Sequence, residues 1–228
     1  MRSIFADRHR PDCWYRDVCA LDHCSQSCKR YNEMKFLMDS SGIPPVQQTP
    51  VKLIPSCAHD RQKFERLQQI KDSIVEYIAN GNNLYITSNN VGNGKSSWAL
   101  KLLLKYFDKI WAGNGRRVRG MFIHVPTFLS QLKNFDHPLS EEYKYNILNA
   151  DVIIWDDIAS TALSQWDYAQ LLIYIDNRVF NKKSNFYTSN IADHDKLEAM
   201  LGARLASRIY SNSEVIEFIG KDWRGADK

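Results

Sequence analysis

Nowhere in the sequence does an apolar run approach the ~20 residues that a membrane-crossing helix needs, so no membrane partner is expected. The opening stretch, MRSIFADRHRPD, has no apolar centre and does not read as a secretory signal. Internal repeats and low-complexity tracts are also missing, which removes solenoid and compositionally biased architectures. An excess of one charge is lacking too. Thirty Lys and Arg stand against 26 Asp and Glu, a formal +4. That balance permits contact with nucleic acid but does not argue for it. A cytoplasmic protein is the default expectation. In that setting the five cysteines read as reduced thiols or metal ligands, not disulfides.

What is there suits one sizeable core with a small appendage: 228 residues, 44% apolar. Four of the five cysteines crowd between positions 13 and 28. The stretch SSGIPPVQQTPVKLIPS (40–56), with prolines at three places, a glycine and small polar residues, reads as a linker. The expected division is an N-terminal module over 1–45 and a second domain over 46–228.

From there the chain alternates. Apolar residues at three- and four-residue steps predict a helix over 61–79, stopped by NGN. NLYIT (83–87) predicts a first strand, then a glycine-rich loop and a helix over 95–110. GMFIHV (120–125) predicts a second strand and TFLSQLKNF opens another helix. DVIIWDD (151–157) predicts a third strand, buried on both faces. A helix is expected over 164–180, a fourth strand at NFYTSN (185–190), a helix over 196–209 and a fifth strand at SEVIEFIG (213–220). Strands alternating with helices indicate an α/β fold with a parallel sheet and right-handed crossovers.

The loop between the first strand and its helix fits the phosphate-loop pattern G-x-x-x-x-G-K-[ST] at every position but the first, where Asn89 replaces glycine. Asn is the non-glycine residue that best tolerates a left-handed backbone, so the departure is mild. Asn90, Val91, Gly92, Asn93, Gly94, Lys95, Ser96 and Ser97 would form the nucleotide cradle. The two glycines let backbone N–H groups turn inward around phosphate oxygens. Lys95 would reach the β and γ phosphates, and the Ser96 hydroxyl would ligate Mg²⁺. The phosphates would then sit at a helix N-terminus.

The third strand ends in two carboxylates. Asp156 is the expected second holder of Mg²⁺, and Asp157 the group that polarises an attacking water. Many phosphate-loop ATPases carry Glu at the latter position, whose extra methylene reaches further. Asn190 ends the fourth strand, and ligands of parallel sheets gather at such ends. An uncharged polar group there can orient a water against the terminal phosphate; the competing reading is a turn or cap asparagine. Ser189 reads as a turn residue.

Taken together, NNVGNGKSS, VIIWDDIAS, FYTSNI, LGARLASRI and the ending KDWRG resemble the AAA+ ATPases. Within them the match is to the DnaC/DnaI-type replicative helicase loaders of bacteria and phages, over about residues 50–228. The resemblance implies a P-loop AAA+ core with a five-stranded parallel sheet in the order 5-1-4-3-2. It implies that Arg208 acts in trans on a neighbour's ATP, where a guanidinium spreads charge over transferring oxygens; Arg204, one turn earlier, reads equally as a member of a surface ion pair. Arg224 resembles the family's sensor-2 arginine. The sequence runs only a few residues past the last expected strand, so no C-terminal helical lid is expected, as in these loaders.

Cys13, Cys19, Cys24 and Cys28, spaced by five, four and three residues, are candidate Zn²⁺ ligands; His9 or His23 is an alternative for one of them. Residues 1–40 have few aliphatics and many charges, the composition of a module that folds on a metal. The resemblance implies that this module touches the helicase. Cys57 reads as a plain thiol. For single-stranded DNA, Lys133, Phe135, Lys144 and Tyr145 remain open, whereas Phe128 reads as core. RRVR (116–119) reads equally as a patch for a partner or as a solvated turn.

The expected function is that of an ATPase that loads a replicative helicase onto single-stranded DNA, with ATP and Mg²⁺ as ligands, Zn²⁺ as a structural metal and self-association through the ATP site. The alternatives are an IstB-like transposition ATPase, a nucleotide-gated adaptor with little hydrolysis, and a small P-loop kinase, which would need a basic lid segment not found here.

Overall fold

The computed structural model describes residues 10–20, 24–48, 52–55, 57–113, 115–134, 136 and 138–220. His9, His23, Phe135 and Arg224 lie outside the described residues.

Alternating apolar residues build the sheet. Strands β1 (Asn83–Thr87), β2 (Gly120–His124), β3 (Val152–Asp156), β4 (Ser184–Ser189) and β5 (Ser213–Glu217) pair in the order β2-β3-β4-β1-β5. Every pairing is parallel. Read from the other edge, this is the expected order 5-1-4-3-2. Successive strand side chains point to opposite faces. Leu84, Ile86, Phe122, Ile154, Phe186 and Ile216 therefore line one core, and Tyr85, Met121, Ile123, Trp155 and Tyr187 the other. β1, β3 and β4 are buried along their whole length.

Helices cover both faces. On the first lie α1 (Lys29–Asp39), α2 (Ala58–Asp72), α3 (Ile74–Ala79) and α4 (Lys95–Ile110). On the second lie α5 (Val125–Leu132), α6 (Glu141–Asn149), α7 (Gln165–Phe180), α8 (His194–Leu201) and α9 (Ala203–Tyr210). Each fully buried side chain such as Phe107 or Leu102 contributes about 1.5–3 kcal/mol of burial free energy. Side-chain caps set several helix starts. Ser164 and Asp167 form a reciprocal capping box at α7, and Ser140 and Asp193 cap α6 and α8.

The pattern over 61–79 resolves into two helices. Ser73 leaves helical geometry at φ −105°, ψ 23°, and its hydroxyl bonds back to Gln69 O. The pattern over 196–209 also splits, at Gly202, whose φ of 80° and ψ of 149° no helix continues. β5 ends at Glu217 and β4 at Ser189, so Asn190 stands one residue past its strand. Two helices, α1 and α6, were not anticipated. Met34, Leu37 and Met38 of α1, with Ile43 beyond it, share the core of α4, and Phe122 N donates to Ser41 O at 2.7 Å. The chain on either side of residue 45 thus packs against the same sheet face.

Candidate functional site

The glycine loop begins where β1 ends. Ser88 is buried, and its hydroxyl accepts the Asn90 backbone N–H at 3.0 Å and the Asn93 side-chain amide. These bonds curl the loop back on its own strand. Gly92 and Gly94 hold φ of 72° and 92°, the region that disfavours a Cβ. A Cβ on Gly94 would also meet Leu53 Cδ2 at 3.1 Å. α4 then starts at Lys95 with no side-chain cap, leaving its first N–H groups open toward the loop. Lys95 is buried, and its ammonium donates to Asn90 O at 2.9 Å and Asn93 Oδ1 at 3.3 Å. Its charge is thus gathered over the loop's concave side.

A second tie runs to the chain beyond β5. The Asn90 side-chain amide donates to Ile219 O and Gly220 O at 3.1 and 3.0 Å. The backbone N–H groups of the same two residues donate to Asp60 of α2, at 3.0 and 3.1 Å.

The acidic end of β3 lies two strands away in the same sheet, with β4 between it and β1. Thr188 of β4 organises it. The Thr188 hydroxyl donates to Asp156 Oδ1 at 2.7 Å and accepts the Asp157 N–H at 3.0 Å. Ile158 N donates to Thr188 O, and Ser189 Oγ donates to Ile158 O. Asp157 itself takes a left-handed φ of 59°, which Asp tolerates better than most residues. Asn190, exposed, donates from its amide to Asp157 Oδ1 at 3.3 Å.

Thr188–Ser189–Asn190 and Thr87–Ser88–Asn89 are neighbours across the sheet, since Ile86 pairs with Thr188 and Thr87 with Ser189. Thr87 Oγ1 donates to Ile191 O at 2.6 Å. Both triplets end at the same rim. Ser189, the last residue of β4, is buried with both hydrogen-bonding roles filled: it anchors the strand end through Ile158 O and the turn that follows through the Ile191 N–H.

Loop, lysine, Asp156, Asp157 and Asn190 therefore share the C-terminal rim of the sheet. The donor set suits a phosphate–magnesium pair: a buried ammonium, open helix N–H groups, the Ser96 hydroxyl and an oriented carboxylate.

Arg208 is elsewhere. α9 runs down to the N-terminal rim, where β5 starts at Ser213, and Asn212 donates to Arg208 O. A strand of five residues separates that rim from the glycine loop, roughly 16 Å. Arg208 Nε donates to Asp176 Oδ1 at 2.6 Å, and Arg204 Nη2 to Asp176 Oδ2 at 2.5 Å. Asp176 was not singled out in the sequence. The Arg208 hydrogen bond is the largest influence; with the Arg204 hydrogen bond and the two arginine charges it outweighs the opposing effect of burial and holds the carboxyl below the usual range.

Cys13, Cys19, Cys24 and Cys28 line one cavity of about 300 Å³, together with Arg10, Tyr15 and Tyr31. Burial, and more weakly the three neighbouring thiols, push the Cys13 thiol above its ordinary value against a backbone hydrogen bond. Among the described residues no group of three or more His, Cys, Asp or Glu side chains is arranged to hold a metal ion. The donors fit Zn²⁺ in kind and number, and their present arrangement does not close a coordination shell. Cys57 is half-buried at the start of α2, accepting Asp60 N at 3.5 Å.

The DNA candidates are scattered. Phe128 is core, Lys133 pairs with Asp167, Lys144 pairs with Glu141, and Tyr145 is exposed. Arg117 and Arg119 pair with Asp151, and Arg116 with Glu33. No described helix is long and apolar enough to cross a membrane.

No family model and no curated protein matches the chain. Solved structures do. The DnaC helicase loader aligns at TM-score 0.62 and 21% identity, covering 72% of this chain and 93% of that one. DnaI aligns at 0.63 and 19%, covering 85% and 100%. AMPPCP-bound DnaA from Aquifex aeolicus aligns at 0.58 and 14%, covering 73% and 48%. At these identities the likeness shows a shared fold alone, an α/β core built on a five-stranded parallel sheet.

Proposed function

We propose that this chain is an ATPase that assembles side by side and loads a replicative DNA helicase onto single-stranded DNA. The observation that carries the reading is the convergence of the glycine loop, Asp156–Asp157 and Asn190 on one rim of the sheet. The residues of the loop bind and orient the triphosphate. Lys95 exchanges Asn90 O and Asn93 Oδ1 for phosphate oxygens. Ser96 and Asp156 are the residues that would hold Mg²⁺, which supplies charge neutralisation to the phosphates when bound. Asp157 accepts hydrogen bonding from the water that attacks the γ phosphorus, giving ADP and inorganic phosphate, and Asn190 fixes that water's direction. Arg208 completes a neighbour's site, so turnover in the free chain is expected to be slow. Arg224 is proposed as a further nucleotide contact.

The loader assignment is supported by the fold shared with the DnaC helicase loader and by the Gly202–Arg204–Arg208 spacing. The N-terminal thiol cavity is proposed as a Zn²⁺ module that grips the helicase, and residues 1–45 as a functional unit, although Met34, Leu37, Met38 and Ile43 pack on the α4 side. A cytoplasmic setting follows from this role. A nucleotide-gated adaptor is the second reading, favoured by the shorter Asp157 and by its hydrogen bond to Asn190.

Co-purification with a replicative helicase, with and without ATP and with Lys95→Ala alongside, tests the proposal. ATP-dependent capture that Lys95→Ala loses supports loading. ATPase below background at saturating single-stranded DNA, with capture intact, selects the adaptor. Indifference to adenine nucleotides with ample Mg²⁺ overturns both.

A further inference from the structure

We infer that Asp176 is the positioning residue of Arg208, holding its guanidinium by the Nε corner on the face of α7 that meets a second copy of this chain. The inference rests on the reading of Arg208 given above and deepens it.

The geometry around Asp176 is unusual for a surface ion pair. One carboxylate serves two arginines: Oδ1 takes Arg208 Nε and Oδ2 takes Arg204 Nη2. One negative charge against two leaves the trio with a net positive charge. An arginine that only neutralises a carboxylate does so best through a two-pronged contact. Arg208 spends only its Nε. Among the described residues no bond takes either of its Nη groups, and its side chain is 41% exposed. A guanidinium held at the Nε corner is fixed in plane and direction, with its donor fork unspent. That is the state a group must be in to meet an anion without reorganising.

The anion must come from outside. Arg208 lies at the N-terminal rim of the sheet and the chain's own glycine loop at the other. The surroundings fit contact with another protein surface. Ile173, Asp176 and Phe180 follow one another along one face of α7, at three- and four-residue steps. Ile173 is 58% exposed and Phe180 87% exposed. With Leu172, Arg204 and Arg208 they line a shallow cavity. Apolar side chains rimming a charged centre exclude water from it on contact, which strengthens the charge interaction. A second copy offers the complementary charge, a Mg²⁺-bound nucleotide at an otherwise open rim.

The test mixes two chains, each inactive by itself. Arg208→Ala keeps its nucleotide site and lacks the finger. Lys95→Ala lacks nucleotide and keeps the finger. ATPase recovered on mixing reports the Lys95→Ala chain's Arg208 acting at the other chain's site. Asp176→Asn is then placed in one chain or the other. In the finger-donating chain it is expected to lower recovered kcat about tenfold or more, with KM for ATP within about twofold, because a misplaced group loses transition-state contact. Asp176→Glu restores part of the loss. In the site-donating chain the loss is expected to be several-fold smaller. Equal losses in both chains make Asp176 a structural residue and overturn the inference, as does full recovery with Asp176→Asn in the donor. No recovery in the parent mixture, with both chains folded by thermal melting and Arg208→Ala still binding nucleotide, overturns the Arg208 reading and this inference with it.

Discussion

The Thr188 hydroxyl donates to Asp156 Oδ1 at 2.7 Å, and Thr188 Oγ1 in turn accepts the backbone N–H of Asp157. One small side chain on β4 thus sets both the lone-pair direction of the first carboxylate and the backbone turn that aims the second.

Thr188→Val keeps the volume and removes both bonds. ATPase kcat is expected to fall about 10- to 100-fold, with the Mg²⁺ concentration for half-maximal activity shifted upward. Stability should drop by about 1–3 kcal/mol because Asp156 and the Asp157 N–H lose a buried partner. Thr188→Ser should keep most of the activity. Wild-type kinetics in the valine variant would remove Thr188 from the site.

Arg178 is fully buried in α7 and donates to Asn185 Oδ1, Ile147 O, Ala150 O and Ser184 O at 2.6–2.9 Å. Burial pulls its pKa down to about 9, still above neutral, so it carries its charge there. It joins α7 to the end of α6 and the start of β4. Arg178→Met takes a donor from four acceptors, of which Asn185 Oδ1 keeps Trp155 Nε1, and a loss of about 3–5 kcal/mol is expected in urea unfolding. Lys cannot reproduce the planar fork and should recover only part.

Asp151 closes the opposite rim, accepting Tyr106 OH at 2.8 Å and hydrogen bonds from Arg119 and Arg117. Burial pulls its pKa upward, but the Arg119 and Tyr106 hydrogen bonds and the arginine charges outweigh this and hold it below the usual carboxylate range. A depressed acid stabilises the fold fully above its unfolded pKa, about 3.9, and loses that contribution as pH falls through its folded value. Asp151→Asn should therefore cost about 1.5–3 kcal/mol at pH 7, with the gap to wild type closing below pH ~4. A gap that does not change with pH would assign Asp151 a purely steric role.

Metal analysis of the purified chain should return one zinc. Cys24→Ser or a strong chelator should release it and lower the melting temperature by about 5 °C or more. Four freely titrating thiols and no zinc would discard the metal and leave the cavity as a packing feature.

Much of the sheet was legible because β1 and β3 carry apolar side chains toward both faces, whereas β4, mostly polar, shows itself through Phe186 and Tyr187. The glycine loop and the acidic pair were legible because their chemistry is local in sequence. The rest depends on partners far along the chain. Thr188 reads only as a strand residue, and Ser189 as a small turn residue, until β3 is set beside β4. Asp176 sits 28 and 32 residues before its two arginines and looks like any solvent-facing acid of α7. Arg178, two positions on, reads as exposed by type although it is buried. α1 hides its spacing of Tyr31, Met34, Leu37 and Met38 among charges next to the cysteines. The breaks at Ser73 and Gly202 are decided by single backbone angles, which periodicity does not register.

Asn90 ties the glycine loop to Ile219 and Gly220, whose N–H groups are held in turn by Asp60. Cradle, tail root and the first turn of α2 are thereby one mechanical body. Tugging on the stretch beyond Gly220, whether by an engineered tag or by a docked protein, is transmitted to the cradle's mouth. By the same bonds, the shape of the cradle bears on how firmly Ile219 and Gly220 are held.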